Sequence, residues 1–467
     1  MQNRIAVALS GGVDSSVAAL MLIRSRLKHN FPQKNLIGIH MSNWNASDEN
    51  PRYCKESEQE ANDAQKVAEY LNIKFHRVSF QAEYWTQVFE PFVSGLDEGL
   101  MLNPDIGCNT HIKFGKMREY CLKKLGVDAI ATGHYARLWN RSIEDNGSVQ
   151  IPTYIESMLN SHPQNSWLLD WKNENKIYPL LLAAADLKKD QSYFLSGVPG
   201  ENFLNVIFPL GDLHKSSSEN TPMTYCSLNS DLTTKTVREL AMEAGLPNAS
   251  KRESMGICFI GKRNFSDFIM DYLPQEAKPG NFVDIDSGEI VGTHKGTAYY
   301  TIGQGAKISG ASRKWFTAKK DIGSSTIFVC DNTHHPSLYS NELYIKSDSL
   351  NWSAGVIPRP MKNGQELHAL CRIRHLQPLI PCVIQEVDSY ICVKFERPVR
   401  AITLGQIACL YVEGGLVCLG SGQINKIGPT YDELGQSLPL VLHPAGSNDS
   451  SVVNRISNFH SDACQSQ

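Results

Sequence analysis

The stretch "LSGGVDSS", Leu9 to Ser16, decides how this sequence is expected to fold. It begins where the apolar run "RIAVAL" ends, and that run predicts a short buried strand. It leads into "VDSSVAALMLIRSRL", whose apolar spacing predicts a helix. Gly11 and Gly12 allow the backbone to turn tightly and approach an anion, and the first amides of the helix point toward it. The stretch therefore predicts a phosphate-binding turn between a strand and a helix.

Two common phosphate-binding motifs are missing from this stretch. No lysine follows the glycines as in G-x-x-x-x-G-K-[ST], and the pattern G-x-G-x-x-G is also missing. A glycine-rich turn with a good helix cap is also common in α/β proteins of any function. The whole string resembles the SGGxDS loop of the ATP pyrophosphatases, which bind ATP and release pyrophosphate while adenylating a substrate.

Strands and helices alternate through the N-terminal third of the chain. The runs "NLIGIHM", "KFHRVSF" and "VDAIATGH" predict strands, and "ESEQEANDAQKVAEYLN" and "HIKFGKMREYCLKKLG" predict helices between them. This alternation predicts an α/β domain of the ATP-pyrophosphatase kind, with a parallel sheet and helices on both faces. In such sheets ligands bind beyond the carboxyl ends of the strands.

The second half of the chain changes to short β-type runs separated by turn residues, among them "STIFVCDN" and "YICVKFE". This texture predicts a small central β-rich domain followed by a C-terminal β-barrel. The expected divisions are a catalytic domain over 1–260, a central domain over 261–335, a barrel over 336–428 and a loose tail over 446–467. Two polar insertions, about 139–176 and 215–234, interrupt the first domain, and the earlier one is expected to be partly ordered at best.

Composition excludes several classes of protein. With 467 residues, the chain is too long for one compact core, which agrees with two or three domains. No stretch approaches the roughly 18 apolar residues of a membrane helix, so no membrane association is expected. The formal net charge of −3 means that an RNA-binding role would need a local basic surface. The first apolar run is reached by Ile5, which leaves no room for a signal or a long transit peptide.

Two of the 12 cysteines lie beside residues that favour reactivity. Cys108 lies between an Asn-Pro-Asp turn and a predicted helix, whose dipole favours a thiolate, and the nearby Asp105 could handle a proton. Cys258 follows the basic pair Lys251-Arg252, which could stabilise a thiolate. No C-x-x-C pair and no secretory pattern occur, which favours a reducing compartment. Taken alone, each cysteine fits a buried core position better than a nucleophile.

Seven motifs, taken in order, identify the family that the sequence resembles. They are "LSGGVDSS", "NPDIGCN", "ATGHYAR", "KKDQSYFL", "ESMGICFIG", "GTHKG" and "YYTIGQG". Together they are similar to the tRNA-specific 2-thiouridylases, N-type ATP pyrophosphatases that convert the wobble uridine of certain tRNAs to 2-thiouridine. The similarity covers about residues 4–425 and is interrupted by the two insertions. It implies a tRNA-uridine 2-sulfurtransferase whose C-terminal barrel binds tRNA.

The resemblance implies roles for individual residues. The implied ATP-binding residues are Ala8, Leu9, Ser10, Gly11, Gly12, Val13, Asp14 and Ser15 at the phosphates, with Met41 and Gly133 at the adenosine. The residues implied to face the target base are Asn103, Pro104 and Asp105. The residues implied to contact tRNA elsewhere are His134, Lys189, Asp190, Gln191, Arg374, His375 and Gln406.

The resemblance also implies the chemistry. Cys258 would carry sulfur as a persulfide, and Cys108 would be the nucleophile that closes a disulfide with Cys258 as sulfur leaves. ATP, with Mg²⁺ on its phosphates, would adenylate O2 of the base and give AMP and pyrophosphate. The expected partners are the anticodon loops of lysine, glutamate and glutamine tRNAs and a sulfur-donor protein or cysteine desulfurase relay. The long polar insertions favour a mitochondrial branch, with the cytoplasm as the alternative.

The chain departs from the family pattern at two glycines. Gly107 stands where the family usually has a bulkier residue, and this difference is expected to loosen the loop that carries Cys108. Gly305 ends "YTIGQG", where the family usually reads "YTIGQR", and this difference is expected to remove one basic contact. Neither change touches the phosphate loop or either cysteine.

Two other functions stay open on the residues alone. Another ATP pyrophosphatase, such as an amide-forming ligase or a lysidine synthetase-like enzyme, would share the first loop but would not need Cys108 and Cys258. A nucleotide-dependent RNA-binding module would use the two cysteines only as structure. No metal site is expected, because no recognised ligand spacing is formed by His111, His294 and the pair His334-His335.

Overall fold

The computed structural model describes residues 4–28, 35–44, 51–140, 151–173, 178–216, 235–252, 268–269, 272–273 and 278–439. Cys258 with its motif "ESMGICFIG", most of the second insertion and the expected tail lie outside these residues. Within these ranges, no helix is both long and apolar enough to cross a membrane.

A parallel sheet forms the centre of the N-terminal half. Its strands in the described residues are β1 (Ile5–Ala8), β2 (Leu36–Ser42), β3 (Lys74–Ser79), β4 (Ala129–Ala131) and β7 (Val206–Ile207). They pair in the order β3-β2-β1-β4-β7, and every pairing is parallel. The predicted strands and their parallel arrangement are confirmed. Because β2 and β4 flank β1, the strand order reverses at β1, where α/β sheets open a crevice for ligands.

Helices cover both faces of this sheet, as predicted. The described helices from the phosphate turn to residue 243, of which α7 packs on the barrel instead, are α1 (Val13–Lys28), α2 (Pro51–Tyr70), α3 (Gln81–Tyr84), α4 (Glu90–Asp97), α5 (Pro104–Gly107), α6 (Arg118–Lys123), α7 (Thr153–Ser161), α8 (Ser192–Leu195) and α9 (Val237–Glu243). Helices α1, α2 and α9 share a core with Val7, whereas α4 and α6 share the core of the opposite face with Ala6. Adjacent residues of β1 therefore point into different cores, as the period of a strand requires.

The central part of the chain forms a separate small sheet. Its described strands are β8 (Gly280–Asp284), β9 (Ile290–His294), β10 (Gly305–Ala306), β11 (Trp315–Asp321) and β12 (Thr326–Cys330). They pair in the order β10-β11-β12-β8-β9 around Phe282, Trp315 and Ile327. The predicted β-rich texture of this region is confirmed.

The C-terminal part forms a barrel. Its strands are β13 (Tyr339–Lys346), β14 (Asn351–Trp352), β15 (Leu367–Arg372), β16 (Ile380–Val387), β17 (Tyr390–Arg400), β18 (Ile407–Tyr411) and β19 (Val417–Ile427). The described strands β13-β17-β16-β15-β18-β19 form a ring that closes through the pairing of β19 with β13, and β14 pairs with β19 outside it. Closure leaves no edge in this ring, which confirms the predicted barrel.

Two strands of the N-terminal half extend the barrel. They are β5 (Arg137–Trp139) and β6 (Leu180–Leu182), and β6 pairs antiparallel with the start of β19. Leu182 and Trp139 are buried in the barrel core, whereas Leu181 is buried in the core beneath the parallel sheet. The catalytic half and the barrel therefore share hydrogen bonds as well as apolar contacts.

Residues 151–173 fold onto the barrel, although the polar composition of the first insertion predicted partial order at best. Helix α7 buries Ile155 and Met158 in the barrel core, and Leu168 of the following 3₁₀ helix (Pro163–Asn173) joins them. The side-chain amide of Asn165 donates to the carbonyl of Glu413 at 3.4 Å. A few apolar residues at helical spacing supply the buried face of this segment despite its polar average. The predicted extent of order over the whole insertion stays a prediction.

Leu182→Ala should destabilise the protein by about 2–5 kcal/mol, because Leu182 is fully buried where β6 meets the barrel. Urea unfolding followed by circular dichroism measures this change. Leu204→Ala is the matched control, since the Leu204 side chain is 40% exposed and its removal should cost less than about 0.5 kcal/mol. Equal midpoints for the two variants would contradict the described joint between the halves.

Candidate active site

The glycine-rich turn lies at the carboxyl edge of the parallel sheet, directly after β1. The backbone amide of Leu9 donates to the carbonyl of Ile39 at 2.8 Å, which ties the start of the turn to the neighbouring strand β2. The carbonyl of Leu9 accepts from Nδ1 of the buried His40 at 2.8 Å, and burial lowers the pKa of that imidazole. The turn is therefore fixed beside the point where the strand order reverses.

Hydroxyl groups hold the turn in shape from within. The Ser15 hydroxyl accepts from the backbone amide of Ser10 at 3.1 Å and donates to the carbonyl of Gly12 at 3.0 Å. The Ser16 hydroxyl donates to the same carbonyl at 2.9 Å. These bonds use the serines of the motif to organise the backbone, and they place the first turn of α1 next to the glycines.

Two glycines are required by close approaches of backbone segments. Gly11 has φ +79°, and a Cβ there would collide with the carbonyl of Glu60 in α2. Gly133, which follows β4, packs against the turn so closely that a Cβ would lie 2.8 Å from the Ser15 nitrogen. The sequence motif and the loop after β4 thus form one compact cradle of the kind that phosphate groups occupy.

Asp14 is held by two residues from distant parts of the chain. The Tyr135 hydroxyl donates to Oδ1 of Asp14 at 2.8 Å, and the ammonium of Lys215 contacts the same oxygen. Lys215 is only 3% exposed, whereas the Asp14 side chain is 35% exposed, so the lysine approaches Asp14 from inside the protein. No sequence pattern marks Lys215 as part of this site, because it lies at the edge of the second polar insertion.

Two backbone hydrogen bonds between residues 214–215 and residues 237–238 fix the position of Lys215. The amide of Val237 donates to the carbonyl of His214 at 2.8 Å, and the amide of Arg238 donates to the carbonyl of Lys215 at 3.4 Å. Thr236 caps α9 reciprocally with Glu239 immediately beyond this point. Both ends of the intervening segment are therefore attached to folded structure.

The underside of the turn is held by the segment that follows α9. Nδ2 of Asn248 donates to the carbonyl of Gly11 at 2.9 Å, and Lys251 Nζ donates to the same carbonyl at 3.2 Å. Lys251 also pairs with Asp63 of α2 at 2.7 Å. In the described structure Lys251 therefore supports the phosphate turn, and the thiolate contact that its sequence position suggested stays a prediction, because Cys258 lies outside the described residues.

Cys108 lies at the start of a π-helical segment, Cys108–Met117, that joins α5 to α6. The sequence predicted an ordinary helix here. In the wider turn Gly115 faces the carbonyl of Thr110, where a Cβ would lie only 3.1 Å away, so the missing side chain makes room for this geometry. Segments of π-helix recur at functional sites because they redirect side chains.

The Cys108 thiol is 1% exposed and lies close to the end of β2. Nδ2 of Asn43, which follows β2, is 3.8 Å from Sγ of Cys108 and donates to it. Because the carboxyl ends of parallel strands share one edge, this contact places the thiol at the same edge as the phosphate turn. Gly107 precedes Cys108, and a Cβ built on Gly107 would lie 3.4 Å from Cγ1 of Val88.

The turn before Cys108 is capped by Asn103. Its side-chain oxygen accepts from the amides of Asp105 at 3.1 Å and Ile106 at 3.4 Å. Burial raises the pKa of Asp105, and the nearby Lys113 partly offsets this effect. Pro104 is buried, and Asp105 is partly buried beside it. The Asp105 carboxyl thus holds a proton to a higher pH than an ordinary aspartate does.

Two further predicted residues lie along this edge, Met41 for the adenosine and His134 for tRNA. Met41 is near the end of β2 and packs partly against the core. His134 follows Gly133, and its Nδ1 is 2.7 Å from the Thr132 hydroxyl. Burial, with a smaller contribution from Lys113, holds the pKa of His134 well below its usual value. His134 is therefore a neutral imidazole at physiological pH.

The segment Lys189-Asp190-Gln191 lies where the sheet domain meets the barrel. Asp190 is 2% exposed, and its Oδ1 accepts from the amides of Ala184 and Ser192 at 3.0 and 3.1 Å. Its Oδ2 is 3.5 Å from Nη1 of Arg372 in β15. The side-chain oxygen of Gln191 accepts from the amide of Tyr135 at 2.9 Å. Asp190 and Gln191 thus hold the segment in place, and their contact with tRNA stays a prediction.

Three predicted tRNA-contact residues belong to the barrel, and two of them touch the N-terminal half of the chain. Nη1 of Arg374 donates to the carbonyl of Arg400 at 3.3 Å. His375 packs on Phe194, with ring centroids 4.3 Å apart, and burial lowers its pKa to about 4. Nε2 of Gln406 donates to the carbonyl of Met101 at 2.9 Å. Met101 lies shortly before Asn103 in the chain. The barrel therefore touches the chain that leads to Cys108.

Comparison with known proteins identifies the family. Family models match as follows: a "tRNA methyl transferase HUP domain" over residues 3–225 and 223–262, a "tRNA methyl transferase PRC-barrel domain" over 266–331, and an "aminomethyltransferase beta-barrel domain" over 341–424. Mitochondrial tRNA-specific 2-thiouridylase 1 of Gallus gallus is 38% identical, over 92% of this chain and 93% of its own length. The human protein of that name is 37% identical, over 92% and 91%.

This chain belongs to the tRNA-specific 2-thiouridylase family. The similarity extends to bacteria, since tRNA-specific 2-thiouridylase MnmA of Mycoplasma capricolum is 32% identical over 91% of this chain and its full length. Among solved structures, the U34-tRNA thiolase NcsA of Methanococcus maripaludis aligns with 58% of the chain at 16% identity and a TM-score of 0.26, too low to support an argument.

Membership of the 2-thiouridylase family confirms the predicted family, fold class and enzyme class. The HUP-domain match also implies the use of ATP. In the part of the chain that the structure describes, no group of three or more histidine, cysteine or acidic side chains is arranged to hold a metal ion. The residues given above for the nucleotide, base and tRNA remain predictions.

Gly133→Ala should weaken ATP binding at least tenfold, because the added Cβ must displace the phosphate turn at Ser15. Isothermal titration of the folded variant with ATP measures the change. Gly305→Ala is the control, since its Cβ would lie 3.9 Å from the nearest atom and at no positive φ. Unchanged ATP affinity in a folded Gly133→Ala protein would show that the nucleotide does not use this turn.

Proposed function

We propose that this protein is an ATP-dependent tRNA 2-thiouridylase that acts on the wobble uridine. The observation that carries the proposal is the placement of Cys108: Asn43, at the end of β2, donates to its thiol at the sheet edge where the phosphate turn follows β1. A nucleotide cradle and a nucleophile at one edge suit activation of a substrate followed by attack on it. The named activity of the family's curated members supports this assignment.

The first step would be adenylation of the base. O2 of the uridine attacks the α-phosphorus of ATP, the bond to the bridging oxygen breaks, and pyrophosphate leaves. The proposed phosphate residues, Ala8 to Ser15, would surround the triphosphate, with Met41 and Gly133 toward the adenosine. Mg²⁺ bound with ATP would offset the charge on the phosphates. This step turns a poor leaving group at C2 into AMP.

The second step would transfer sulfur. The terminal sulfur of a Cys258 persulfide attacks C2, and AMP leaves. The Cys108 thiolate then attacks Sγ of Cys258, so the sulfur–sulfur bond breaks, 2-thiouridine is released, and a Cys108–Cys258 disulfide forms. In the second version of this step, Cys108 attacks the persulfide first and releases sulfide, which attacks C2. Either version requires a thiol reductant to restore both cysteines before the next turnover.

Asp105 would handle the proton in this sequence. A carboxyl whose pKa is raised by burial can both accept and return a proton near neutral pH better than an exposed aspartate. Asn103 and Pro104 would shape the pocket for the target base, since Asn103 caps the turn and Pro104 is buried in it. The wobble base must leave the anticodon stack to reach this pocket, which costs a few kcal/mol.

Binding of tRNA would use the junction between the sheet domain and the barrel. The proposed contacts there are His134, Lys189, Asp190, Gln191, Arg374, His375 and Gln406. Asp190 would act by holding this segment through Ser192 and Arg372, because its carboxylate is used inside the protein. We propose lysine, glutamate and glutamine tRNAs as substrates, and a sulfur-donor protein or a cysteine desulfurase relay as the source of sulfur. The mitochondrial names of the vertebrate relatives support a mitochondrial location.

Cys258→Ser and Cys108→Ser should each abolish formation of 2-thiouridine while ATP binding stays within about twofold of the unsubstituted protein. Each change removes one thiol of the proposed transfer and leaves the phosphate turn unchanged. The assay combines purified protein, unmodified tRNA, ATP, a cysteine desulfurase and cysteine, and measures nucleosides by mass spectrometry with AMP and pyrophosphate in parallel.

Cys392→Ser is the matched control for these variants, because Cys392 is a half-buried thiol of the barrel and should retain activity. A Cys258→Ser protein that still makes 2-thiouridine would sink the persulfide assignment. ATP consumption that depends on tRNA but adds no sulfur would favour another ATP pyrophosphatase. Binding of tRNA without any ATP consumption would favour a binding module.

Lys189→Gln should weaken tRNA binding and reduce the magnitude of the slope of log affinity against log salt concentration by about 0.7–0.9, the value for one lost phosphate contact.

His375→Gln should leave that slope unchanged from pH 6 to pH 8. Since burial lowers the pKa of His375 to about 4, the imidazole is uncharged throughout this range and releases no counterion. Filter binding at several salt concentrations measures both slopes, and a smaller slope for His375→Gln would show that the imidazole becomes charged on RNA.

A further inference from the structure

A cavity of about 710 Å³ lies where three parts of the chain meet. The turn after α4 contributes Gly99, the central sheet contributes Ile285 and Phe328, and the barrel contributes Leu338 and Ile402. Pockets of about 300–1,000 Å³ at domain junctions, lined mainly by apolar groups with a few polar ones, are typical binding sites for small molecules.

Lys320 of β11 lines this cavity without a counterion. Among the described residues, no carboxylate or hydrogen-bond acceptor pairs with its ammonium, and burial lowers its pKa to about 8. An unpaired cation beside apolar walls is unfavourable, because the charged form loses hydration that nothing replaces. A bound anion would supply the missing interaction.

The two other lysines along the cavity each interact with another side chain. Lys319 pairs with Glu433 at 3.7 Å, and the ammonium of Lys426 lies 4.2 Å from the centre of the Tyr390 ring. The second oxygen of Glu433 accepts from the amide of Thr430 at 2.9 Å. The remaining carboxylates at the cavity belong to Glu98 and Asp432, and neither forms an ion pair with Lys320 within the described ranges. Of the three lysines along the cavity, Lys320 is therefore the one for which the described residues supply neither a carboxylate nor an aromatic ring.

We propose that this cavity binds an amphipathic carboxylate, an anion with a hydrocarbon body. The carboxylate pairs with Lys320, and the hydrocarbon body packs against Ile285, Phe328, Leu338 and Ile402. Both parts of the ligand then offset an unfavourable feature of the site, the unpaired charge of Lys320 and the apolar surface of the lining residues. The proposal is independent of sulfur transfer, because none of the residues assigned to that reaction lines the cavity.

Decanoate is a suitable probe, and decanol is its neutral counterpart. Titration calorimetry at pH 7 should show decanoate binding with one site per chain and at least tenfold tighter than decanol. Lys320→Met keeps an apolar side chain of similar length, and it should weaken decanoate at least tenfold while leaving decanol unchanged. Lys319→Met is the matched control, because Lys319 is the adjacent residue and is already paired; its decanoate affinity should match that of the unsubstituted protein.

Affinity for decanoate should also fall as pH rises. The carboxylate stays ionised from pH 7 to pH 9, whereas Lys320 in the free protein loses its proton through a pKa of about 8. Above that pH the amine must take up a proton from the solvent when the carboxylate binds, so binding should weaken several-fold by pH 9, and Lys320→Met should show no such dependence. The proposal is overturned if decanoate does not bind, if decanol binds equally well, or if Lys319→Met weakens binding as much as Lys320→Met.

Discussion

The pairing of β19 with β6 fixes how the two halves of the protein sit against each other. Strand β19 closes the barrel through β13 and also pairs at Cys418 with Leu181, a residue of the sheet domain. Because β6 leads directly into the segment that carries Asp190, the same pairing positions the ion pair between Asp190 and Arg372. The contact of Gln406 with Met101 belongs to this joint as well. The approach to Cys108 is therefore set by the barrel as much as by the parallel sheet.

Local sequence patterns were enough to predict the sheet and the phosphate turn. The apolar run at Ile5–Ala8 and the spacing in α1 are signals that a chain carries within one element. The glycine signal of the turn is equally local, and Gly11 has a positive φ and a close backbone approach that a side chain would oppose. The sequence was enough to predict that a barrel forms. It did not show which strands pair to close it, because the partner of each strand depends on residues far away in the chain.

Single contacts over long distances could not be predicted. Lys215 pairs with Asp14 from a polar stretch, and Asn248 and Lys251 support Gly11 from beyond α9, with no periodic pattern to mark any of them. The π-helical segment at Cys108 was equally hidden, because side-chain spacing does not report a change of backbone hydrogen bonding. The pairing of Cys108 with Cys258 stays a prediction that the described residues do not reach.

The hydrogen bond between His214 and Val237 bears on how the length of the chain between them can vary. The two ends of the segment between them are joined by hydrogen bonds and by the cap of α9, so Lys215 stays beside Asp14 whatever the length of chain between them. Closing a flexible loop of twice the length costs only about 0.6 kcal/mol more. Insertions and deletions at this position are therefore nearly neutral for the nucleotide site, and evolution can lengthen the chain here without rebuilding the cradle.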